Sequence, residues 1–323
     1  MQVSIIIPVY NVETYIEKCL QSVADQTFNG EMECLIIDDC GQDNSMSIAE
    51  QFISNYGGHI HFQIFHHDHN RGLSAARNTG IDNAKGDWIY FLDSDDWIIP
   101  ECIELMFECV KKHPNTDAVY AGTNVINGKH EWADYENRYL PEYTEDQWWI
   151  NTTLLKRNVL GMTAWNKLFK RELIEKNHLR FIEGLKHEDE VWNMQLSQML
   201  QSLCTIPYNT YNYIKRVDSI TTNETYDTSA FYYHTYIRKI MTDLIKGNNW
   251  QRQNQVKSIA AWLINTSFIH WPNIKWTTMP FLLTKLALKA RSKLSIYLIA
   301  QAFLAIIKLP YYRNKWIIKA TQL

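Results

Sequence analysis

From residue 3 to about residue 125 the chain alternates short, unbroken apolar runs with longer stretches whose apolar positions recur every three or four residues. Val3 to Val9 reads as a buried strand, and Val12, Ile16, Cys19, Leu20 and Val23 then follow at helical spacing. Glu33 to Ile37 is a second strand ending in Asp38-Asp39, after which Asn44 can cap a helix with the face Ile48, Phe52, Ile53 and Tyr56. Ile60 to Phe65 gives a third strand, Leu73, Ala76, Gly80 and Ile81 a short helix, and residues 87–92 a fourth strand. This β-α-β-α-β-α-β order predicts an α/β fold, a mostly parallel sheet with helices on both faces. A helix over 101–112 and a strand over 117–125 follow, then a polar, aromatic stretch over 127–147 that reads as a loop over a site. Helical stretches at 144–157 and 187–201 and a strand from Leu203 to Ile214 complete a second, mixed region, and from about 227 the pattern is helical only.

The net charge of -3 hides an asymmetry. Residues 1–250 hold 21 Lys and Arg against all 35 Asp and Glu, whereas 251–323 hold 11 Lys and Arg and no acid. With Trp262, Trp271, Trp276, Trp316, Tyr311 and Tyr312, this basic tail suits an anionic membrane surface. Its apolar run Leu294 to Ile307 would be about 21 Å long as a helix, short of the roughly 30 Å hydrocarbon core, so it is expected to lie in the interface or to pack on the protein as a helical cap. Strand-like Val3 to Ile7 directly after Gln2 is read as a folded start and not a leader, and six cysteines without metal or disulfide spacing are read as buried free thiols. Together these predict a cytoplasmic protein, peripheral on the inner face of the membrane, with no nucleic-acid partner.

The densest chemistry is Asp93-Ser94-Asp95-Asp96, directly after the fourth strand. Three carboxylates so close repel one another unless a cation or hydrogen bonds compensate. Magnesium or manganese, bound by one or two carboxylates and substrate phosphates, is one compensation, and an acidic turn capping the next helix is the other. Strand ends of an open parallel sheet share one crevice, which gathers Pro8-Val9-Tyr10-Asn11, Asp38-Asp39, Asn70 to Asn78 and Asp93 to Asp96. These suit a nucleotide: a carboxylate for a base N–H, Tyr10 or the adjoining backbone to flank the base, aspartates for ribose and a metal-bound diphosphate. No Gly-x-Gly-x-x-Gly or Walker loop is present. His66-His67-Asp68-His69 reads as a solvated loop, since neighbouring side chains on extended chain point apart and cannot share a metal. His187-Glu188-Asp189-Glu190 opens a helix, where acids are ordinary capping residues.

Taken in order, VSIIIPVYN (3–11), IIDDCGQDNS (36–45), NRGLSAARNTG (70–80), GDWIYFLDSDD (86–96), AWNKLF (164–169) and EGLKHEDEV (183–191) resemble the family 2 glycosyltransferases over roughly the first 190 residues. The resemblance implies a GT-A fold, a nucleotide-sugar donor, expected to be a UDP-sugar, a Mn2+ or Mg2+ cofactor and inversion at the anomeric carbon. It implies a catalytic domain over 1–226, with a donor half to about 125 and an acceptor half beyond, before the helical region 227–323. By position it assigns Pro8, Tyr10, Asp38, Asp39, Arg77, Asp93, Ser94 and Asp95 to the donor nucleotide, with Asp39 for uracil and Asp38 for strand-end structure. Asp95 and Asp96 go to the metal, Asp189 and then Glu188 to the catalytic base, and Trp165 and His187 to the acceptor and sugar pocket. Arg77 either approaches phosphates or braces Asp38 and Asp39. Cys40-Gly41-Gln42 departs from the family's usual Gly-Ser after the paired aspartates. With the tail, the resemblance implies a hexosyltransferase-type enzyme acting on a saccharide or lipid-linked saccharide in cell-surface glycan synthesis. Its rivals are a sugar nucleotidyltransferase, for which the loop after the first strand lacks Gly, Arg and Lys, and an inactive saccharide-binding relative.

Overall fold

A computed structural model describes residues 1–126, 140–154, 160–185 and 188–215, with short helical pieces at 256–257, 259–260, 287 and 297–301. The chain forms two compact units, Met1–Ile150 with Arg157–Thr222, and Asn151–Lys156 with Asn223–Leu323.

The first unit begins with β1 (Val3–Val9), α1 (Ile16–Ala24), β2 (Met32–Asp38), α2 (Ser45–Asn55), β3 (His61–His66), α3 (Leu73–Asn83) and β4 (Trp88–Phe91). β1 pairs in parallel with β2 and β4, and β2 with β3, so the order β3-β2-β1-β4 forms the parallel sheet that the sequence pattern predicts. Every residue of β1 is buried, as befits a strand covered on both faces. α1 buries Ile16, Cys19, Leu20 and Val23 as one apolar stripe.

α3 packs on β1 and β2 through small residues, Ser74, Ala75, Ala76 and Gly80. Gly80 lies so close to the sheet that a β-carbon there would fall 2.2 Å from Ile6 Cγ2. Gly72, at φ +86°, supplies the left-handed turn before the helix.

Beyond β4 the chain adds β5 (Trp97–Ile98), α4 (Cys102–Lys112), β6 (Ala118–Ile126), β7 (Tyr143–Thr144), α5 (Gln147–Thr153), β8 (Lys167–Lys170), α6 (Arg171–Lys176), α7 (Glu188–Leu196) and β9 (Leu203–Ile214). β8 inserts antiparallel between β4 and β6, and β6 continues in parallel to β9, giving the order β3-β2-β1-β4-β8-β6-β9-β5 with β7 also on β9. The Ala164–Phe169 segment is therefore next to the strand that carries the aspartate turn. Asn166 turns the chain there at φ 58°, its amide donating to the Ala121 and Gly122 carbonyls while its oxygen accepts from Tyr90 and Thr210.

Within 127–147, read from sequence as one irregular loop, Tyr143–Thr144 is a strand and α5 begins at Gln147; residues 127–139 lie outside the described residues. All six cysteines are free, five of them buried and Cys40 half-buried. In the second unit Val256, Ile259, Ala260, Ala287 and Leu298 are buried, and the Tyr297 hydroxyl donates to the Lys257 carbonyl. Most of the tail read from sequence lies outside the described residues, and no described helix is long and apolar enough to cross a membrane.

Candidate active site

The parallel register brings the carboxyl ends of β2, β1 and β4 side by side. Pro8 is buried near the end of β1, and Tyr10 just beyond it is 47% exposed, available to flank a planar ligand. After β2, Asp38 accepts from the Cys40 amide at 3.0 Å and contacts His66 Nδ1 at 2.9 Å. Asp39 is buried and accepts from the Arg71 and Gly72 amides, each at 2.8 Å, while His67 Nδ1 lies 2.7 Å away. His67 Nε2 meets the Thr79 hydroxyl at 2.8 Å. His67 is thus a buried strut and not part of a solvated loop: its ring fills the space behind Asp39, and two partners satisfy its nitrogens. One acceptor position of the Asp39 carboxylate is left over from these three contacts, since a carboxylate offers about four.

Arg77 does not brace Asp38 or Asp39. It lies on the buried face of α3 and reaches the other way, its Nη2 donating to Asp93 at 2.8 Å and its Nη1 to Glu188 at 2.6 Å and Asp189 at 2.7 Å. One guanidinium therefore joins the aspartate turn after β4 to the first turn of α7. Its plane faces Phe181, 5.2 Å from the ring centroid, and Phe181 stacks on Trp192 at 4.1 Å. Next to it Asn78 exchanges two hydrogen bonds of 2.8 Å with the Phe181 backbone, and Arg71 pairs with Glu183 at 3.1 Å. Phe181, Glu183 and the Glu188–Asp189 pair thus each dock on the region from Arg71 to Asn78.

Three carboxylates against one guanidinium leave an excess of negative charge, and burial decides where a proton goes. Burial works against the Arg77 charge, but Asp189, Asp93 and Glu188 outweigh it and push its pKa up. Burial first, then the Asp189 charge, raises the Glu188 carboxyl to about 8. Burial likewise raises Asp93 to about 6, opposed by Arg77 and aided by Asp95 and Asp189. Of the two neighbouring acids Glu188 is the one whose surroundings favour the neutral form, while Asp189, its side chain 20% exposed, is the more open carboxylate. Lys167, in β8, is a buried ammonium that donates to the Thr163 carbonyl and hydroxyl and to the Trp165 carbonyl; burial lowers it to about 7 against the pull of Asp189. Asn193 of α7 ties the same loop to the helix start, donating to the Met162 and Asp189 carbonyls at 2.8 Å.

The sequence-assigned residues after β4 separate in role. Asp93 spends one oxygen on Arg77, Ser94 is buried in the turn, and Asp95 is half-buried. Asp96 is 1% exposed with both oxygens engaged, by the Tyr211 hydroxyl and the Ile214 amide, each at 2.7 Å. Its burial, more than that engagement, makes Asp96 the least open carboxylate of the turn, with Asp95 the more exposed one. Among the described residues no group of three His, Cys, Asp or Glu forms a closed metal cage. The oxygen-only set at Asp95, with the second oxygen of Asp93, instead fits a hard cation that takes its remaining ligands from phosphates and water. Trp165 is also not a wall open to a sugar: it is 6% exposed, stacked on Tyr211 at 4.4 Å and Tyr213 at 5.6 Å. His187 lies outside the described residues.

Sequence reasoning gave no role to His67, Lys167, Asn193 or Tyr211. A lysine inside the apolar Trp165–Phe169 run was the one visible signal, since a charge there needs buried partners.

The profile of Glycosyl transferase family 2 matches residues 4–177. The chain belongs to this family. It is 35% identical over 224 residues to EpsH of Bacillus subtilis strain 168, covering 68% of this chain and 62% of EpsH. Glycosyltransferase GlyA of Streptococcus pneumoniae serotype 4 is 30% identical over 225 residues, covering 68% of this chain and 31% of GlyA. The chain thus spans less than two thirds of these relatives. Among solved structures, residues 1–349 of Staphylococcus aureus TarS in complex with UDP-GlcNAc superimpose with a TM-score of 0.75 at 20% identity, over 98% of this chain and 92% of that one. The fold is GT-A, with the mostly parallel sheet and flanking helices that the sequence implies.

Proposed function

We propose that this family 2 glycosyltransferase moves a sugar from a nucleotide donor, a UDP-sugar, to a saccharide or lipid-linked saccharide acceptor in cell-surface glycan synthesis, with inversion at the anomeric carbon. The observation that carries the reading is the Arg77 bridge, which places Asp189 and the strand-end Asp93 on one guanidinium, 2.7 Å and 2.8 Å away. A direct displacement needs the acceptor's base on one side of the sugar and the departing diphosphate on the other, and the bridge fixes a base candidate relative to a diphosphate-side carboxylate.

In this reading Tyr10 flanks the base, the remaining acceptor position of Asp39 takes the uracil N–H, and Asp93 holds the donor beside Arg77. Asp95 would hold a manganese or magnesium ion, whose charge would offset that of the departing diphosphate. Asp189 accepts the proton of the attacking hydroxyl, since it is the open member of the pair while Glu188 keeps its own proton. Arg77 holds Asp189 by one oxygen, and the neighbouring Glu188 carboxyl is hydrogen-bonded to Asp189 as well, so the proton Glu188 keeps leaves Asp189 as the ionised partner. The basic, aromatic tail supports a peripheral site on the inner membrane face, close to an embedded acceptor.

A panel of nucleotide-sugars, with and without manganese, tests the reading by release of free nucleotide. Metal-dependent release from one UDP-sugar, stimulated by a saccharide acceptor, is expected. Binding of a saccharide without release from any donor would return the inactive reading.

A further inference from the structure

The turn after β4 is fastened by a second network that does not involve Arg77. The Tyr211 hydroxyl donates to Asp96 Oδ2 at 2.7 Å and accepts from the Asp93 amide at 3.2 Å, so one oxygen touches the first and last residues of the Asp93–Asp96 turn. The Asp96 amide donates back to the Asp93 carbonyl at 3.0 Å, closing the turn on itself. Asp96 Oδ1 takes the Ile214 amide, and β5, immediately after the turn, pairs antiparallel with β9 at Asn212 and Tyr211. Tyr211 is fully buried, its face covered by Trp165. Neither residue is reachable by a phosphate, and both hold backbone whose shape decides where the intervening side chain points.

We infer that Tyr211 and Asp96 are positioning residues, a clasp that sets the shape of the Asp93–Asp96 turn and so aims Asp95 at a divalent cation and a nucleoside diphosphate. This rests on the cation and nucleotide reading of the site given above. The physical argument is one of satisfaction and leverage. Removing the hydroxyl strands a buried carboxylate oxygen and a part-buried amide at opposite ends of a four-residue turn, and the turn recovers those bonds by changing shape. A carboxylate that coordinates a cation depends on such support, whose loss typically weakens metal affinity by about 10- to 100-fold.

The test is Tyr211→Phe in the full chain, which keeps the ring and its stack on Trp165 but deletes the hydroxyl. Calorimetric titration with manganese in the presence of UDP is expected to show affinity reduced by about tenfold, with the manganese midpoint of donor hydrolysis shifting more than the rate at saturating metal. A purely structural hydroxyl would lower the melting temperature and leave the manganese affinity where it was, which would overturn the clasp. Asp96→Asn weakens the same contact from the other partner and is expected to shift manganese affinity in the same direction. The double variant is expected to be no worse than the more affected single one, because the two act as a unit. Additive losses would make Asp96 a ligand in its own right and overturn the proposal, as would an unshifted Asp96→Asn. Wild-type protein that binds no manganese with UDP would sink the nucleotide reading and the clasp together, whereas wild-type binding that both variants preserve would sink the clasp alone.

Discussion

Arg77 and Asp189, 112 positions apart in sequence, meet at 2.7 Å through a guanidinium that is 1% exposed. Breaking such a buried pair strands the partner charges, at about 3–5 kcal/mol. Arg77→Met should therefore lower the melting temperature by on the order of 10 °C and abolish transfer. Arg77→Lys should retain the fold and lose most activity, since one ammonium cannot fork to three carboxylates. Thermal unfolding of both variants beside wild type checks this, and an unchanged melting point for Arg77→Met would contradict it.

Asp189 and Glu188 should respond unequally to amide substitution. Asp189→Asn is expected to reduce kcat by roughly two orders of magnitude or more with donor affinity little changed, because the amide keeps the shape and cannot accept a proton. Glu188→Gln replaces a carboxyl whose burial favours the neutral form and should cost far less. Steady-state kinetics on the two proteins decide the matter; the reverse ranking would make Glu188 the base.

The same proton gives a pH signature in stability. The native Glu188 carboxyl titrates at about 8 against an unperturbed 4.5, so the folded state holds the extra proton in between and wild type should lose stability as pH rises from about 4.5 through 8. Lys167 acts in the opposite sense: its native value of about 7 lies below the ordinary 10.5, so its burial penalty is relieved as pH rises from 7 toward 10.5. Glu188→Gln should flatten the decline between pH 5 and 7 and leave the alkaline recovery intact. Melting curves across that range measure it, and parallel profiles for the two proteins would refute the protonated Glu188.

Asp95→Ala should remove most manganese-dependent UDP binding while the fold survives. Its charge contributes to the raised proton affinities of Asp93 and Asp96, so the metal-free variant should be no less stable than wild type. Calorimetry with UDP, with and without manganese, is the measurement; undiminished metal-dependent affinity would take Asp95 out of the site.

The full chain should bind vesicles rich in anionic lipid, each basic tail residue that reaches the surface adding about 1 kcal/mol. Raising salt should weaken the binding without abolishing it, because aromatic insertion is not screened. Cosedimentation across a salt series reads this out, and indifference to anionic vesicles at low salt would remove the tail's membrane role.

What the sequence makes legible follows how local each signal is. The strands at Val3, Glu33 and Trp88 are mostly apolar runs and the one at Ile60 alternates apolar with polar, all between helical periods, and the Leu203–Ile214 strand has the bounds its pattern suggests. β5, β7 and β8 escape because two to four residues carry no period of their own and exist through their partners, Asn212, Cys204 and Ile89 among them. At the site, residue types at strand ends are readable, but direction is not. Arg77 could be seen to lie near carboxylates; that it turns to Asp189 and away from Asp39 depends on Phe181 and the start of α7 lying against α3. His67 and Tyr211 are silent for the same reason, since their partners are 28 and 115 positions away.

Gly80 sits one helical turn after Arg77, at the point where α3 touches β1 with nothing between them. The height of that helix above the sheet is the lever arm of the guanidinium, which must reach the edge of β4 on one side and the tip of α7 on the other with bonds under 3 Å. A single methyl at position 80 would have to lift the helix or displace Ile6, and either movement would be passed to Arg77. The balance of charge on which the base depends is thus held, mechanically, by a residue that has no side chain to contribute.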